Sequence, residues 1–343
     1  MAARVALVGF GTGGAVFHAP LIASIPGLRL EAVVTGNPER AEAARRRYPG
    51  TRVLDSADRL WETPEDYDLV VITAPNRHHV PLARTALTSG LPVVLDKPVA
   101  ASADEARSLA ALAAVRGLPV IPFHNRRWDG DFRTVRRLVE GGGLGTVLRF
   151  ESRFERWRPE VRPGWKESTD PLDAGGILFD LGTHLIDQAI TLFGRPHRVY
   201  AEIDTRRPGA AVPDDVFLAL THDGGVRSHL WMSATAAQFG PRFRVLGSSA
   251  AYTVSGMDVQ EQALREGRTP MDAGWGRFPS EAYGRVGTPS AGRLEPTEPG
   301  AYQEFYAGVA RMLRGETPPP VDLADAIAGL EVIEAATRGA AVQ

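Results

Sequence analysis

The sequence predicts a two-part α/β protein: an N-terminal Rossmann-type parallel sheet, then an α+β domain on a mainly antiparallel open sheet. Three observations predict it. Short apolar runs and helical windows alternate from Arg4 to Phe123. A glycine-rich turn follows the first run. Beyond Phe123 the strands alternate apolar and polar residues, as strands covered on one face do. A length of 343 residues suits two domains, and the change of rhythm divides it into 1–123, a dinucleotide-binding domain, and 124–343, a substrate-binding and oligomerisation domain.

The elements follow in order. Arg4–Val8 is an apolar run ending at glycine, as buried parallel strands do. An apolar segment, Ala15–Ile25, follows the glycines, and Leu30–Val34 is a second strand. Pro38–Tyr48 is a helix with proline in its first turn. Asp68–Thr73 is a third strand, and His78–Ser89 a helix stopped by Gly90. Pro92–Leu95 is a fourth strand, Ala103–Arg116 a helix capped by Ser102 and stopped by Gly117, and Pro119–Phe123 a fifth strand.

Phe132–Glu140 then reads as a helix. Thr146–Trp157 reads as a strand, with Leu148, Phe150 and Phe154 inward and Arg149, Glu151, Arg153 and Glu155 outward. Gly176–Phe193 is helical. Arg198–Ile203, Val216–Thr221, Arg227–Met232, Phe243–Leu246 and Tyr252–Ser255 are strands. Residues 258–300, rich in glycine and proline, are expected to form a surface excursion. Tyr302–Arg314 and Asp322–Arg338 are helices, the latter N-capped by Asp322.

Composition excludes several functions. A 43% apolar and 23% charged chain is globular rather than disordered. A formal charge of −2 argues against nucleic acid or anionic membrane as the partner. The absence of cysteine removes disulfides, thiolate zinc sites, thiol catalysis and iron–sulfur clusters, and fits a reducing compartment. Val5–Leu28 carries no charged side chain, but Gly9, Gly11, Gly13, Gly14, Pro20, Pro26 and Gly27 break it up, so neither a signal peptide nor a membrane span is expected. The expectation is a soluble cytoplasmic protein.

Gly9-Phe10-Gly11-Thr12-Gly13-Gly14 fits G-x-G-x-x-G directly after a strand and before a helix, the context that makes the motif specific. Gly9 permits the tight turn, Gly11 lets backbone approach a pyrophosphate, and Gly14 lets helix and strand pack closely. An NAD site usually has a carboxylate at the end of the second strand. Here Thr35-Gly36-Asn37 stands there, followed by Arg40. Thr35 and Arg40 could hold a 2′-phosphate, so NADP(H) is favoured over NAD(H). Arg45, Arg46 and Arg47 read as a solvated helix face.

Ala74-Pro75-Asn76-Arg77-His78-His79 and Asp96-Lys97-Pro98 follow the third and fourth strands, at the carboxyl ends where ligands bind. Lys97 can donate to a substrate oxygen that gains negative charge during hydride transfer. The histidine pair lacks a third metal ligand at the usual spacing, so His79 reads as a contact beside the cofactor.

Asp180, His184 and Asp187 lie at i, i+4 and i+7 on one helix that opens with Gly175-Gly176 and carries Gly182 within it. A carboxylate one turn from an imidazole orients it and raises its basicity. A metal held by Asp, His and Asp is the alternative, without a clear fourth ligand.

With these pieces assembled, the sequence resembles the Gfo/Idh/MocA family of NAD(P)-dependent oxidoreductases, over essentially the whole chain. The motifs are Gly9–Gly14, Asp96-Lys97-Pro98 and Asp180-Leu181-Gly182-Thr183-His184. Asp96 stands where the family usually has Glu. The closer likeness is to the NADP-dependent scyllo-inositol dehydrogenase-like branch, through Val16-Phe17-His18-Ala19-Pro20, His124-Asn125-Arg126-Arg127-Trp128-Asp129 and Arg158-Pro159-Glu160-Val161-Arg162.

The resemblance implies Lys97, Asp180 and His184 as the catalytic set, acting beside a nicotinamide between the two halves of the molecule. Lys97 would polarise the reacting oxygen, His184 would exchange the hydroxyl proton, and Asp180 would hold substrate and imidazole. It implies Arg127 at the substrate hydroxyls, with Trp128 and Trp165 as sugar-stacking walls or structural tryptophans. Pro75, Asn76, His79, Asp96 and also Lys97 fall on the cofactor side. It implies a polyol or sugar substrate and a homodimer or homotetramer. A dinucleotide-binding regulator of the same fold is the competing reading, and it has no need of the lysine–aspartate–histidine set.

Overall fold

The computed structural model describes residues 2–340. The chain divides into two compact units. The first comprises the chain up to Asn125, with Gln260–Trp275 and Ala301–Ala324. The second comprises Arg126–Val259, Gly276–Gly300 and the chain from Asp325 onward.

The first unit holds a six-stranded parallel sheet of β1 (Ala3–Val8), β2 (Leu28–Val34), β3 (Arg52–Leu54), β4 (Leu69–Ile72), β5 (Val93–Leu95) and β6 (Val120–Pro122), ordered β3-β2-β1-β4-β5-β6. This is the predicted Rossmann sheet. Continuous apolar runs make its centre, and β4 and β5 are wholly inaccessible to solvent. The order reverses between β1 and β4, so the carboxyl ends of those strands open the crevice in which such sheets bind ligands.

Helix signals act as read. Ser102 accepts a hydrogen bond from Glu105 N, and Gly117 ends that helix at φ 63°. Asn37, which the sequence reading did not single out as a cap, caps the helix Pro38–Arg47 by accepting from Arg40 N. Strand β3 was not expected. It has three residues, none fully buried, and pairs only at the sheet edge.

The second unit holds an eight-stranded sheet of β7 (Val147–Glu155), β8 (Pro196–Asp204), β9 (Asp215–His222), β10 (Arg227–Ser233), β11 (Phe243–Gly247), β12 (Ala251–Val254), β13 (Gly284–Gly287) and β14 (Gly292–Glu295), ordered β14-β13-β12-β11-β7-β10-β9-β8. The pairing is antiparallel except between β7 and β10. The expected α+β class holds.

Three expectations change. Leu148 is 55% exposed rather than inward. A bulge pairs Arg149 with Leu246 and Val147 with Gly247, which leaves Leu148 as the extra residue and turns Val147 inward. Glu151 is buried rather than outward, because Arg153 and Arg244 pair with it. Residues 258–300 are not a bare excursion: they contain the helix Gln260–Arg265, β13 and β14, and bury Trp275. Two four-residue strands among glycines carry too little alternation to be read from sequence.

The interior of this unit is partly ionic. Arg242 is buried and donates to Ser152 Oγ at 2.6 Å and to Gln188 Oε1 at 2.9 Å. Gln188 in turn donates to the Arg126 carbonyl. Among the described residues no helix is long and apolar enough to cross a membrane.

Candidate active site

In the first unit the site begins at the turn after β1. Gly9 has φ +99°, and a Cβ there would lie 2.8 Å from Thr73 Oγ1. Thr73 pins the turn by donating to the Gly9 carbonyl at 2.9 Å. At Gly14 a Cβ would lie 2.1 Å from the Gly9 carbonyl oxygen, so no side chain fits. Bare backbone thus lines the mouth of the crevice, a cradle that fits a dinucleotide pyrophosphate. Phe10 is buried edge-on to Tyr48, so it can meet a ligand chiefly through its backbone. The helix that follows starts with a π turn at Gly13–His18 and continues at Ala19–Ala23.

At the end of β2, Thr35 Oγ1 accepts from Asn37 N at 3.3 Å. Arg40 is exposed, and its Nη1 lies 3.6 Å from where a Gly11 Cβ would be. Hydroxyl and guanidinium therefore flank the glycine turn, and no carboxylate occupies the strand end. Arg47, expected to be solvated, donates to the Ala15 carbonyl at 3.3 Å. Burial pushes the neighbouring Tyr48 phenol up to about 12.

At the end of β4, Pro75 precedes the turn Asn76–His78, and Asn76 is buried. Both His79 nitrogens face backbone carbonyls, Nδ1 that of Pro98 and Nε2 that of Ala74, each at 2.8 Å. His79 therefore ties the β4 turn to the β5 turn. Burial pushes its pKa down.

At the end of β5, Asp96 Oδ1 accepts from Lys97 N at 2.8 Å, and the Lys97–Pro98 bond is cis. Asp96 Oδ2 packs on Gly13, 3.1 Å from a notional Cβ, and lies 3.7 Å from His18 Nε2. Burial alone would raise the Asp96 carboxyl. The His18 imidazole that faces it, with the charge of Lys97, outweighs this and brings the carboxyl down to about 2. Lys97 thus sits directly after a fixed anion beside the glycine turn.

In the second unit, Gly175 and Gly176 let the chain turn tightly. A Cβ on Gly175 would lie 2.3 Å from the Ser168 carbonyl oxygen, and Gly176 has φ +89°. Leu178–Gly182 is a π turn that leads into the helix Thr183–Phe193. A Cβ on Gly182 would lie 2.9 Å from Met232 Sδ, so glycine lets the helix lie close on β10.

Asp180 and His184 stand on this run. Asp180 Oδ1 accepts from Lys166 Nζ at 2.6 Å, and Oδ2 lies 3.6 Å from Arg156 Nη1. His184 is 7% exposed. Asp187 takes another role, receiving both Nε and Nη2 of Arg127 at 2.9 and 2.6 Å. Arg127 Nη2 also reaches Asp325 at 2.9 Å. Arg127, named for substrate hydroxyls, is thus held by two carboxylates. Burial lowers its pKa, but Asp187 and Asp325 outweigh this and raise it further. Trp128 is half-buried, and Trp165 is 39% exposed with Lys166 Nζ 5.5 Å from its ring centre. No group of three or more metal-ligating side chains occurs among the described residues.

Each unit therefore collects its own set. Gly9–Gly14, Thr35, Arg40, Pro75, Asn76, His79, Asp96 and Lys97 gather at the carboxyl ends of four adjacent strands. Asp180, His184, Lys166, Arg156 and Trp165 gather around the π turn. Sequence reasoning missed Lys166 and Tyr306, the latter sharing a hydrogen bond with His18. Lys166 had a visible signal, because the chain has only two lysines, Lys97 and Lys166. Tyr306 had none.

Comparison with known proteins gives two family matches. Residues 3–124 match the oxidoreductase family with NAD-binding Rossmann fold, and residues 132–253 match the GFO/IDH/MocA C-terminal domain. The uncharacterized oxidoreductase YdgJ of Escherichia coli (strain K12) is 38% identical over 334 residues, covering 96% of this chain and 94% of its own. The scyllo-inositol 2-dehydrogenase (NADP(+)) IolW of Bacillus subtilis (strain 168) is 32% identical over 337 residues, covering 97% and 92%. The solved structure of Bacillus subtilis YvaA superposes with a TM-score of 0.93 at 31% identity, covering 100% of this chain and 97% of that one.

Proposed function

The chain belongs to the GFO/IDH/MocA oxidoreductases, with an NAD-binding Rossmann domain, and from that premise we propose that it interconverts a hydroxyl and a carbonyl on a cyclitol, sugar or related polyol using NADP(H). One observation carries the reading. Lys97 is fixed at the carboxyl end of β5, its backbone held by a carboxylate that packs on Gly13 of the glycine turn. An ammonium in that position is placed to act on whatever reacts beside a dinucleotide.

Held at the Gly9–Gly14 turn, a nicotinamide dinucleotide would supply hydride chemistry to the carbinol carbon in either direction. Lys97 donates to the substrate oxygen and stabilises its developing negative charge. His184 takes the hydroxyl proton in oxidation and returns it in reduction. Asp180 orients the imidazole and accepts from a substrate hydroxyl. Arg127, held by Asp187 and Asp325, presents a fixed donor edge to the substrate, and Trp128 and Trp165 offer apolar walls for the ring. Thr35 and Arg40 receive the 2′-phosphate, and the scyllo-inositol relative, whose name specifies NADP(+), supports the same choice. The enzyme works in the cytoplasm as a homodimer or homotetramer formed through its open sheet.

The test is a panel of inositols and aldoses offered with NADP+ and with NAD+, following absorbance of the reduced nicotinamide. The proposal expects turnover of at least one polyol, with NADP+ preferred by about tenfold, as one charged hydrogen bond allows. Preference for NAD+ overturns the 2′-phosphate assignment. No turnover with either cofactor overturns the substrate class.

A further inference from the structure

Lysine is almost absent from this chain. Of 39 cationic residues only Lys97 and Lys166 are lysines; the rest are arginines. Wherever an ordinary surface cation serves, arginine is used, as in the helix pairs Arg107–Asp104, Arg136–Glu140 and Arg265–Glu261. An ammonium differs in kind from a guanidinium. It is a compact point charge with three diverging N–H groups, whereas the planar fork of arginine engages a carboxylate with two parallel bonds. One of the two lysines is the candidate catalytic Lys97. The other lies 2.6 Å from Asp180.

We propose that Lys166 is a substrate-binding residue that, paired with the Asp180 carboxylate, reads two neighbouring hydroxyls of the polyol. The inference deepens the function proposed above and rests on it.

The turn that carries Lys166 is built to hold it still. The Lys166 carbonyl accepts from Gly176 N at 2.8 Å, an approach that the two glycines before the π turn allow. The next residue, Glu167, accepts from Arg207 Nη2 at 3.0 Å, and Arg207 donates through Nε to the buried Asp214 at 2.8 Å. The ammonium is therefore presented from a braced backbone. Its side chain remains 52% exposed, and its bond to Asp180 uses one of three N–H groups.

The chemistry of the pair selects the ligand. A carboxylate only accepts hydrogen bonds and an ammonium only donates them. A hydroxyl does both. Two adjacent hydroxyls therefore bind such a pair in one sense: one donates to Asp180, and its neighbour accepts from Lys166. An arginine at 166 would engage both Asp180 oxygens with its fork, including Oδ2 that now faces Arg156, and so crowd the substrate hydroxyl away.

The experiment compares wild type, Lys166→Met and Lys166→Arg on the best polyol of the panel and on its deoxy analogue lacking the hydroxyl beside the reacting carbon. In wild type the analogue is expected to lose about tenfold or more in kcat/KM, the scale of one hydrogen bond to a charged group. Lys166→Met should raise KM for the polyol by a similar factor, leave dinucleotide Kd unchanged, and abolish the discrimination against the analogue. Lys166→Arg should fail to restore either. A Lys166→Arg enzyme matching wild type in both KM and discrimination overturns the inference, as does a Lys166→Met enzyme that keeps them.

A second readout does not require turnover. Lysine-selective 15N labelling gives two Nζ resonances, assigned by Lys166→Arg. The polyol should shift the Lys166 signal with dinucleotide present. A polyol that is turned over yet leaves that signal unmoved overturns the inference alone. If no polyol is turned over and none shifts either signal, the functional reading fails, and this inference fails with it.

Discussion

His18 and Tyr306 share a 2.6 Å hydrogen bond in the interior of the first unit, and neither residue is exposed to solvent. His18 also stacks on Phe123, with ring centres 4.0 Å apart. Its Nε2 faces the Asp96 carboxylate, which can only accept, so we assign the proton to Nε2. Nδ1 then accepts from the Tyr306 hydroxyl. A hydroxyl, an imidazole and a carboxylate thus run in line to the residue before Lys97.

Tyr306→Phe keeps the ring and removes the donor, which leaves a buried imidazole nitrogen without its bond. The expected cost is about 1–3 kcal/mol of stability, read as a lower midpoint in urea with an unchanged m-value. Tyr306→Phe with wild-type stability would show that the bond contributes nothing.

The proposed function gives Arg40 a part in cofactor choice. It is exposed beside Gly11. Arg40→Ala should weaken NADP+ binding by about tenfold or more, the value of a charge-assisted bond, and leave NAD+ binding within a factor of about two. Dinucleotide titration measures both constants. Equal losses for the two cofactors would place Arg40 on the shared pyrophosphate instead.

Asp131 links stability to pH. Burial pushes its carboxyl up, the nearby Asp129 carboxylate adds to this, and Arg242, the Phe132 N–H and Arg126 pull the other way; the result is about 7. Between the ordinary carboxyl range and about 7 the folded protein holds a proton that the unfolded chain has lost. Stability therefore falls as pH rises through that window. Asp131→Asn carries no such proton. Its midpoint should vary less with pH from about 4 to about 7, in urea melts at matched ionic strength. Parallel wild-type and Asp131→Asn profiles would contradict the assignment.

Much of this was legible in the sequence, for reasons that differ by residue. The glycine turn was legible because backbone chemistry leaves no substitute at Gly9 and Gly14. Ser102 and Gly117 cap and stop a helix through local bonds, and local bonds leave local signals. The parallel strands were legible because both faces are buried and the apolar run is unbroken.

What escaped depends on partners far away in the chain. The burial of Glu151 depends on Arg244, and the exposure of Leu148 on a bulge opposite Gly247. Tyr306 meets His18 across 288 positions. The face shared by Asp180, His184 and Asp187 was read from α spacing, but the run opens with a π turn and Asp187 is engaged by Arg127. Lys166 could have been found by counting, since it is one of two lysines in the chain.

The central claim is that Lys97 and His184 serve the chemistry far more than the binding of the dinucleotide. It is tested most directly by kcat for polyol oxidation in Lys97→Ala and His184→Ala, with NADP+ Kd measured on the same preparations. General acid–base help contributes about 10²–10⁴-fold, so kcat should fall by at least about a hundredfold in each while Kd stays within a few-fold of wild type. Either variant turning over at the wild-type rate would contradict the account.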